Sequence, residues 1–89
     1  MSREKLTTSD FNGALNLISK KLFFRVGQKG AKSMASSHEI LGIIIEEVGE
    51  YQEAVQKNLS DGDKIQELLD IAVGCAFGIA SIKSGGVDW

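Results

Sequence analysis

Apolar residues recur at helical spacing in three segments of this chain, and polar stretches rich in Gly, Ser, Asp and Lys separate the segments. The first segment covers about residues 8–26. Its apolar positions form one stripe, namely Phe11, Leu15, Ile18, Leu22 and Val26. Thr7 and Asp10 resemble a capping box, and Gly27 is the expected stop. The pattern therefore predicts an amphipathic first helix.

The second segment predicts a helix over about residues 36–59, with a Ser-x-x-Glu capping box at its start. At the helical angle of about 100° per residue, the expected buried stripe consists of Leu41, Ile44, Val48, Tyr51 and Val55. Glu47 and Glu50 lie on an adjacent flank, between Ile43 and Ala54. Apolar residues on both sides of these acids indicate that another helix covers the flank in part.

The third segment follows a turn at residues 60–63 and predicts a helix that ends near residue 83. From residue 71 to residue 82 every side chain is apolar or small, which is typical of a central helix. Small residues line one side of it, namely Gly74, Gly78 and Ser81. Two other helices cannot cover a central helix on every side. We therefore expect an all-α, three-helix protomer that completes a four-helix-type bundle by homo-oligomerisation.

The composition fits one small domain over residues 1–89, since 43% of the residues are hydrophobic. A net charge of −2 gives no electrostatic footprint for a nucleic acid polymer. The single cysteine, Cys75, lies in an apolar run and fits a reducing compartment. The polar N-terminus does not resemble a signal peptide, and the longest apolar run is shorter than the ~20 residues that span a bilayer. We expect a cytoplasmic protein without membrane contact.

Two acidic pairs are the strongest chemical signal in the sequence. Glu47/Glu50 and Glu67/Asp70 are each spaced i,i+3, so both carboxylates of a pair project from one helix face. The short connection between the second and third helices makes these helices antiparallel and lets the pairs face each other. Converging carboxylates repel one another unless a hard cation such as Mg²⁺ or Mn²⁺ binds them. The spacing therefore predicts a divalent metal site.

Other metal and phosphate motifs fit less well. The loop of residues 27–33 lacks the spacing and the preceding strand of a phosphate-binding P-loop. The only histidine, His38, lacks the Glu-x-x-His context of a di-iron site, and Asp61-Gly-Asp63 lacks the frame of an EF-hand. Cys75 has no basic neighbour that would make it a nucleophile.

The two acidic blocks, Glu46-Glu47-Val-Gly-Glu50 and Glu67-Leu-Leu-Asp70, resemble the E-E-x-x-E … E-x-x-D signature of the all-α nucleoside triphosphate pyrophosphohydrolases, the MazG-like family. The resemblance covers about residues 36–88 and includes the sixteen-residue gap between the blocks. It implies that Glu47, Glu50, Glu67 and Asp70 bind Mg²⁺, with Mn²⁺ as a possible substitute. Glu46 would be an added ligand or the base that activates water.

The resemblance also implies a reaction and partners. Such an enzyme hydrolyses a nucleoside triphosphate between the α- and β-phosphates, and it is typically a homodimer or a homotetramer. Candidate residues for the outer phosphates are basic, namely Lys20, Lys21 and Arg25 of the first helix and Lys29 or Lys32 of the loop. None of them belongs to a recognisable motif.

Two alternatives remain open on the sequence alone. Phosphoribosyl-ATP pyrophosphohydrolase carries similar acidic pairs, although the third helix here lacks the Ala-Asp that commonly ends the E-x-x-D block of that enzyme. A non-catalytic helical oligomerisation module, with the acids as surface charge, is the alternative from another class. The sequence does not identify the nucleobase.

Overall fold

The computed structural model describes residues 3–88, and within that range the chain forms three α-helices and no strand. They are α1 (Thr8–Lys29), α2 (Ser37–Gln56) and α3 (Asp61–Lys83). The predicted all-α class and helix number are confirmed. Completion of the bundle by further copies stays a prediction.

The start of α1 was predicted correctly and its end was not. Thr7 Oγ1 accepts the N–H of Asp10 at 3.1 Å, and the Asp10 carboxylate accepts the N–H of Thr7 at 2.8 Å, which completes the capping box. The helix continues through Gly27, the expected stop, and ends before Gly30. Gly30 adopts a φ of 86°, and its N–H bonds the carbonyl of Val26 at 2.8 Å. The positive φ is required at this later glycine.

Serine side chains cap the other two helices. Ser36 Oγ accepts the N–H of Glu39 at 3.1 Å, as the capping motif predicts. The Glu39 carboxylate accepts the N–H of Ala35 at 3.1 Å, so it reaches one residue beyond the expected partner. Ser60 Oγ accepts the N–H of Asp63 at 3.1 Å. Both caps fix where α2 and α3 begin.

The connection between α2 and α3 is a tight turn. α2 ends at Gln56, about three residues before the predicted end. Asn58 takes a positive φ of 51°, a conformation that asparagine tolerates better than most residues. The N–H of Leu59 then bonds the carbonyl of Ala54 at 2.9 Å, which closes the turn. This turn folds α3 back along α2.

The α2–α3 interface uses the small residues that the sequence singled out. A Cβ atom at Gly78 would lie 2.8 Å from Cγ2 of Ile40, and one at Gly74 would lie 3.1 Å from Cδ1 of Ile44. Both glycines are buried, as is Ser81. Because Ile40 meets the later glycine and Ile44 the earlier one, the helices run antiparallel. The predicted close approach of a neighbouring helix is confirmed.

The predicted buried stripe of α2 is wrong in part. Leu41, Val48 and Val55 are 54%, 45% and 48% exposed in the single chain. The buried residue of α2 is Ala54, at 1% exposure, which lies on the flank that carries the acids. The glycines of α3 draw α2 in along this flank, because the absence of a side chain there lets Ile40 and Ile44 approach the α3 backbone closely. The acids are therefore at the interface.

Helix α3 is central, as predicted. It packs against α1 and α2 and contains most of the buried residues, namely Leu69, Val73, Gly74, Gly78 and Ser81. α1, all of which lies in the described range, contains no fully buried residue. Lys21 contacts Gln66 and Arg25 contacts Asp70, so α1 and α3 run parallel.

By length and composition α3 is also long and apolar enough to cross a membrane, with a mean hydropathy of 1.6 over the best window. The core helix of a soluble bundle meets the same criterion. The cytoplasmic location therefore stays a prediction.

Candidate metal centre

Four carboxylates from two helices converge on one point. Glu47 and Glu50 project from α2, and Glu67 and Asp70 project from α3. One oxygen from each of the four lies within 4.8 Å of the others. Glu50 contributes to raising the pKa of both Glu47 and Glu67, so its carboxylate lies close to acids of both helices. The i,i+3 spacing on antiparallel helices thus brings together the residues that it predicted.

The electrostatics of this carboxylate cluster are unfavourable without a cation. Burial raises the pKa of Glu47, and the charges of Glu50, Asp70 and Glu67 raise it further. Burial likewise raises the pKa of Glu67, and the charges of Glu50 and Asp70 raise it further. The positive charge of Lys21 lowers it. Each of these shifts means that the charged form is poorly solvated and repelled.

Two oxygens of the carboxylate cluster also lack hydrogen-bond partners. Oε2 of Glu47 and Oε2 of Glu67 are buried, and neither has a partner within the described part of the chain. A buried carboxylate oxygen without a donor is costly, because nothing replaces the water it has lost. A bound cation would supply the missing interaction for both atoms.

The geometry fits a small divalent ion. Mg²⁺ binds oxygen at about 2.1 Å in an octahedron, so ligand oxygens on opposite sides of it are about 4.2 Å apart. The observed 4.8 Å limit is only slightly wider, and small side-chain rotations would close the difference. The donor set consists of carboxylates alone, which favours Mg²⁺ or Mn²⁺ over softer metals. The residues present therefore fit the predicted ion.

Glu46 does not join the other acids. It is exposed, and the four-carboxylate group does not include it. Glu46 directly precedes Glu47 in α2, so its side chain points about 100° around the helix from that of Glu47. Its role as the base stays a prediction.

Two of the three basic residues predicted on the first helix lie at the edge of the carboxylate cluster. Lys21 Nζ is 2.9 Å from Asp70 Oδ1, and Arg25 Nη2 is 3.1 Å from the same oxygen. Lys21 also donates to Gln66 Oε1 at 2.8 Å. Lys20 is exposed and forms no ion pair with any residue in the range 3–88. The i,i+4 spacing of Lys21 and Arg25 signals a shared face, but only the fold reveals what that face meets.

The resemblance described above rests on the two acidic blocks, and the structure adds that these blocks meet. Comparisons of the chain with family models, with curated proteins and with solved structures found no match.

Proposed function

We propose that this protein is a Mg²⁺-dependent nucleoside triphosphate pyrophosphohydrolase that releases a nucleoside monophosphate and pyrophosphate. The observation that carries the proposal is the meeting of four carboxylates from α2 and α3, two of which hold a buried oxygen without a partner. The adjacent cations of α1 add to it, because an enzyme acting on a polyphosphate needs positive charge beside its metal.

The residues divide into three roles. Glu47, Glu50, Glu67 and Asp70 would hold the ion, which when bound supplies neutralisation of the phosphate charge and a more acidic water. Lys21 and Arg25 donate charge-assisted hydrogen bonds to phosphate oxygens that lie beside Asp70. Glu46, the exposed neighbour of the carboxylate cluster, accepts the proton of the attacking water. Mn²⁺ is the expected substitute ion.

A second copy of the chain completes the fold in this proposal, as a homodimer or a homotetramer. Large apolar side chains remain exposed in the single chain, including Phe11 at 55%, Leu15 at 62% and Phe23 at 66%. Within residues 3–88 the buried apolar side chains of the core are those of Ala54, Leu69 and Val73. So small a core gains much from burying a shared apolar face.

One observation favours a non-catalytic helical module instead. Asp70 already has two cationic partners, Lys21 and Arg25. At this one acid the ion pairs therefore neutralise the negative charge that a metal would neutralise. They leave the buried oxygens of Glu47 and Glu67 without partners. A protein of this second kind would not bind Mg²⁺ with measurable heat.

The deciding experiment combines metal titration with a screen for pyrophosphate release. We expect calorimetry to detect Mg²⁺ and Mn²⁺ binding, and we expect turnover of at least one canonical or modified nucleoside triphosphate. The screen includes phosphoribosyl-ATP, which tests that alternative directly. Glu47→Ala or Asp70→Ala should abolish turnover while circular dichroism still shows the helices, and the exposed Glu4→Ala serves as the control. Full turnover in both ligand variants would disprove the assigned ligand set.

A further inference from the structure

A groove of about 240 Å³ lies beside the carboxylate cluster. Its walls come from the end of α1, from residues 30–34, and from facing parts of α2 and α3. Glu47 and Asp70 belong to its lining. So do three basic residues, namely Arg25, Lys29 and Lys32. One concave surface therefore joins acids that fit a metal to cations that fit an anion.

The two lysines of the groove are available to an external anion. Within the described part of the chain, neither ammonium group takes part in an ion pair or a side-chain hydrogen bond. Arg25, in contrast, contacts Asp70 at 3.1 Å. Lys29 lies one turn farther along α1 than Arg25, which is roughly 6 Å along the helix axis. The remaining acid of the lining, Glu39, accepts the N–H of Ala35 at 3.1 Å.

The segment that carries Lys32 is fixed on α3. The buried hydroxyl of Ser81 accepts the N–H of Met34 at 2.9 Å and donates to the carbonyl of Phe77 at 2.7 Å. The N–H of Asp88 donates to the carbonyl of Ala35 at 2.8 Å, so the stretch that follows α3 holds the segment from the other side. A cation carried on a backbone fixed in this way is positioned before a ligand arrives.

Apolar residues complete the lining of the groove. Ile43, Val73 and Phe77 form apolar parts of its lining, and apolar walls lower the local dielectric around the cations. A second groove of about 280 Å³ also includes Lys32, but no acidic residue lines it. Of these two grooves, the first is the one that places the lysines beside the carboxylate cluster.

We propose that Lys29 and Lys32 form a subsite for the outer phosphates of a triphosphate. This inference rests on the proposed function and adds that the α-phosphate, which carries the bond to be cleaved, lies at the carboxylate cluster. The lysines then lie beyond that phosphate, along the groove, where the β- and γ-phosphates extend. The subsite selects for the length of the phosphate chain, because a monophosphate at the carboxylate cluster would leave both lysines without a partner.

Inorganic pyrophosphate tests the subsite without requiring hydrolysis. Its affinity in excess Mg²⁺ is measured by calorimetry for the parent chain and for two double variants. Lys29→Gln/Lys32→Gln should weaken binding roughly tenfold, as two partly exposed charge-assisted contacts together would. Lys5→Gln/Lys83→Gln makes the same change of charge away from the groove and should leave the affinity unchanged.

A second measurement locates the bound anion and does not depend on a variant. Addition of pyrophosphate to the parent chain should shift the backbone amide resonances of residues 30–34. Inorganic phosphate should bind more weakly than pyrophosphate. Unshifted amides, or phosphate binding as tight as pyrophosphate binding, would overturn the subsite.

The outcomes for the subsite and for the enzyme are distinguishable. A loss of pyrophosphate affinity confined to Lys29→Gln/Lys32→Gln supports the subsite even if no nucleotide is hydrolysed, in which case the proposed enzyme fails alone. Equal affinity in the parent and this variant overturns the subsite even if the protein turns over nucleotides at full rate.

Discussion

The two helices that pack on α3 do so in different ways. α2 approaches it closely along Gly74 and Gly78, and Ala54 in that interface is 1% exposed. α1 contributes no fully buried residue and reaches α3 through ion pairs to Asp70. The α2–α3 hairpin is therefore the unit that sets the positions of the four carboxylates. α1 adds positive charge to that unit but little packing.

An open gap between α1 and α3 also shows that α1 packs less closely on α3 than α2 does. An open groove of about 510 Å³ lies between the first half of α1 and the start of α3, lined by residues such as Leu17, Ile18 and Leu68. Leu17 and Leu68 are 45% and 46% exposed. Exposed apolar surface of this size is unfavourable for a single chain in water, and α1 supplies much of it.

The largest effect that we expect is a loss of self-association when charges replace the apolar face of α1. Phe11→Glu/Leu15→Glu puts two charges on side chains that are 55% and 62% exposed in the single chain. If these residues lie between copies, the change should weaken association at least about 100-fold, as loss of large apolar contacts does at interfaces. Analytical ultracentrifugation over a dilution series measures this. The control, Asn12→Glu/Asn16→Glu, adds the same charges on the same helix, and equal loss in both would contradict the assigned face.

Next in size is a change that opens the close α2–α3 interface. Gly78→Val places a side chain where even a Cβ atom would be 2.8 Å from Ile40, so we expect a loss of about 2 kcal/mol in the free energy of unfolding. Gly42→Val is the control, because nothing lies within 4 Å of a Cβ atom at that helical position. Thermal and denaturant melts compare the two. Equal stability of both variants would mean that α2 and α3 do not approach as closely as described.

A smaller effect should follow from loss of the α1 cations. Lys21→Gln/Arg25→Gln removes both partners of Asp70, whose side chain is 17% exposed, and should cost about 1 kcal/mol without metal. Saturating Mg²⁺ should restore part of this stability, since the ion neutralises the same carboxylate. Lys57→Gln breaks an ion pair whose partners are 63% and 58% exposed, so it should cost clearly less stability than the double variant. If Lys21→Gln/Arg25→Gln loses no more stability than Lys57→Gln, the ion pairs of Asp70 are no stronger than the exposed Lys57–Glu53 pair.

The pH dependence of the metal-free protein should give the smallest effect. Burial and neighbouring charges raise the pKa of Glu47 and Glu67 in the folded chain above the unfolded value. Between these two values the folded chain binds more protons than the unfolded chain, so its stability falls as the pH rises. The contribution of these two groups to stability is fully present at pH values below the unfolded pKa. It is lost as the pH rises through the folded pKa. Solvent screening should keep it below about 1 kcal/mol.

Chemical denaturation at several pH values measures this decline. Glu47→Gln should reduce the slope, because the substituted side chain no longer titrates. Mg²⁺ should also reduce it, since the ion binds the deprotonated carboxylates. A stability that rises with pH over this interval would contradict the sign derived from the pKa shifts.

Local sequence signals predicted the helices and the convergence of the acids well. Caps such as Thr7 and Ser36 act through hydrogen bonds within three residues, so their effect is legible in the sequence. The carboxylate cluster followed from i,i+3 spacing and a short connection, which are also local. The end of α1 was missed because Gly27 and Gly30 carry the same signal, and only the second takes the positive φ.

Signals that depend on how the helices meet were harder to read. Leu41, Val48 and Val55 form a regular stripe, yet the glycines of α3 bring the acidic flank of α2 inward instead. Likewise, nothing in the spacing of Lys21 and Arg25 reveals that α1 lies parallel to α3 beside Asp70. These placements depend on contacts between residues 30 or more positions apart, and sequence periodicity does not encode them.

The tight turn at Asn58 has a consequence for folding order. All four acids lie between positions 47 and 70, so the α2–α3 hairpin can bring them together by closing one short loop, before α1 has docked. A divalent ion present during folding would then join the two arms of the hairpin early. The carboxylate cluster would then form from the most local contacts of the chain, and the contacts of α1 with α3 would form last.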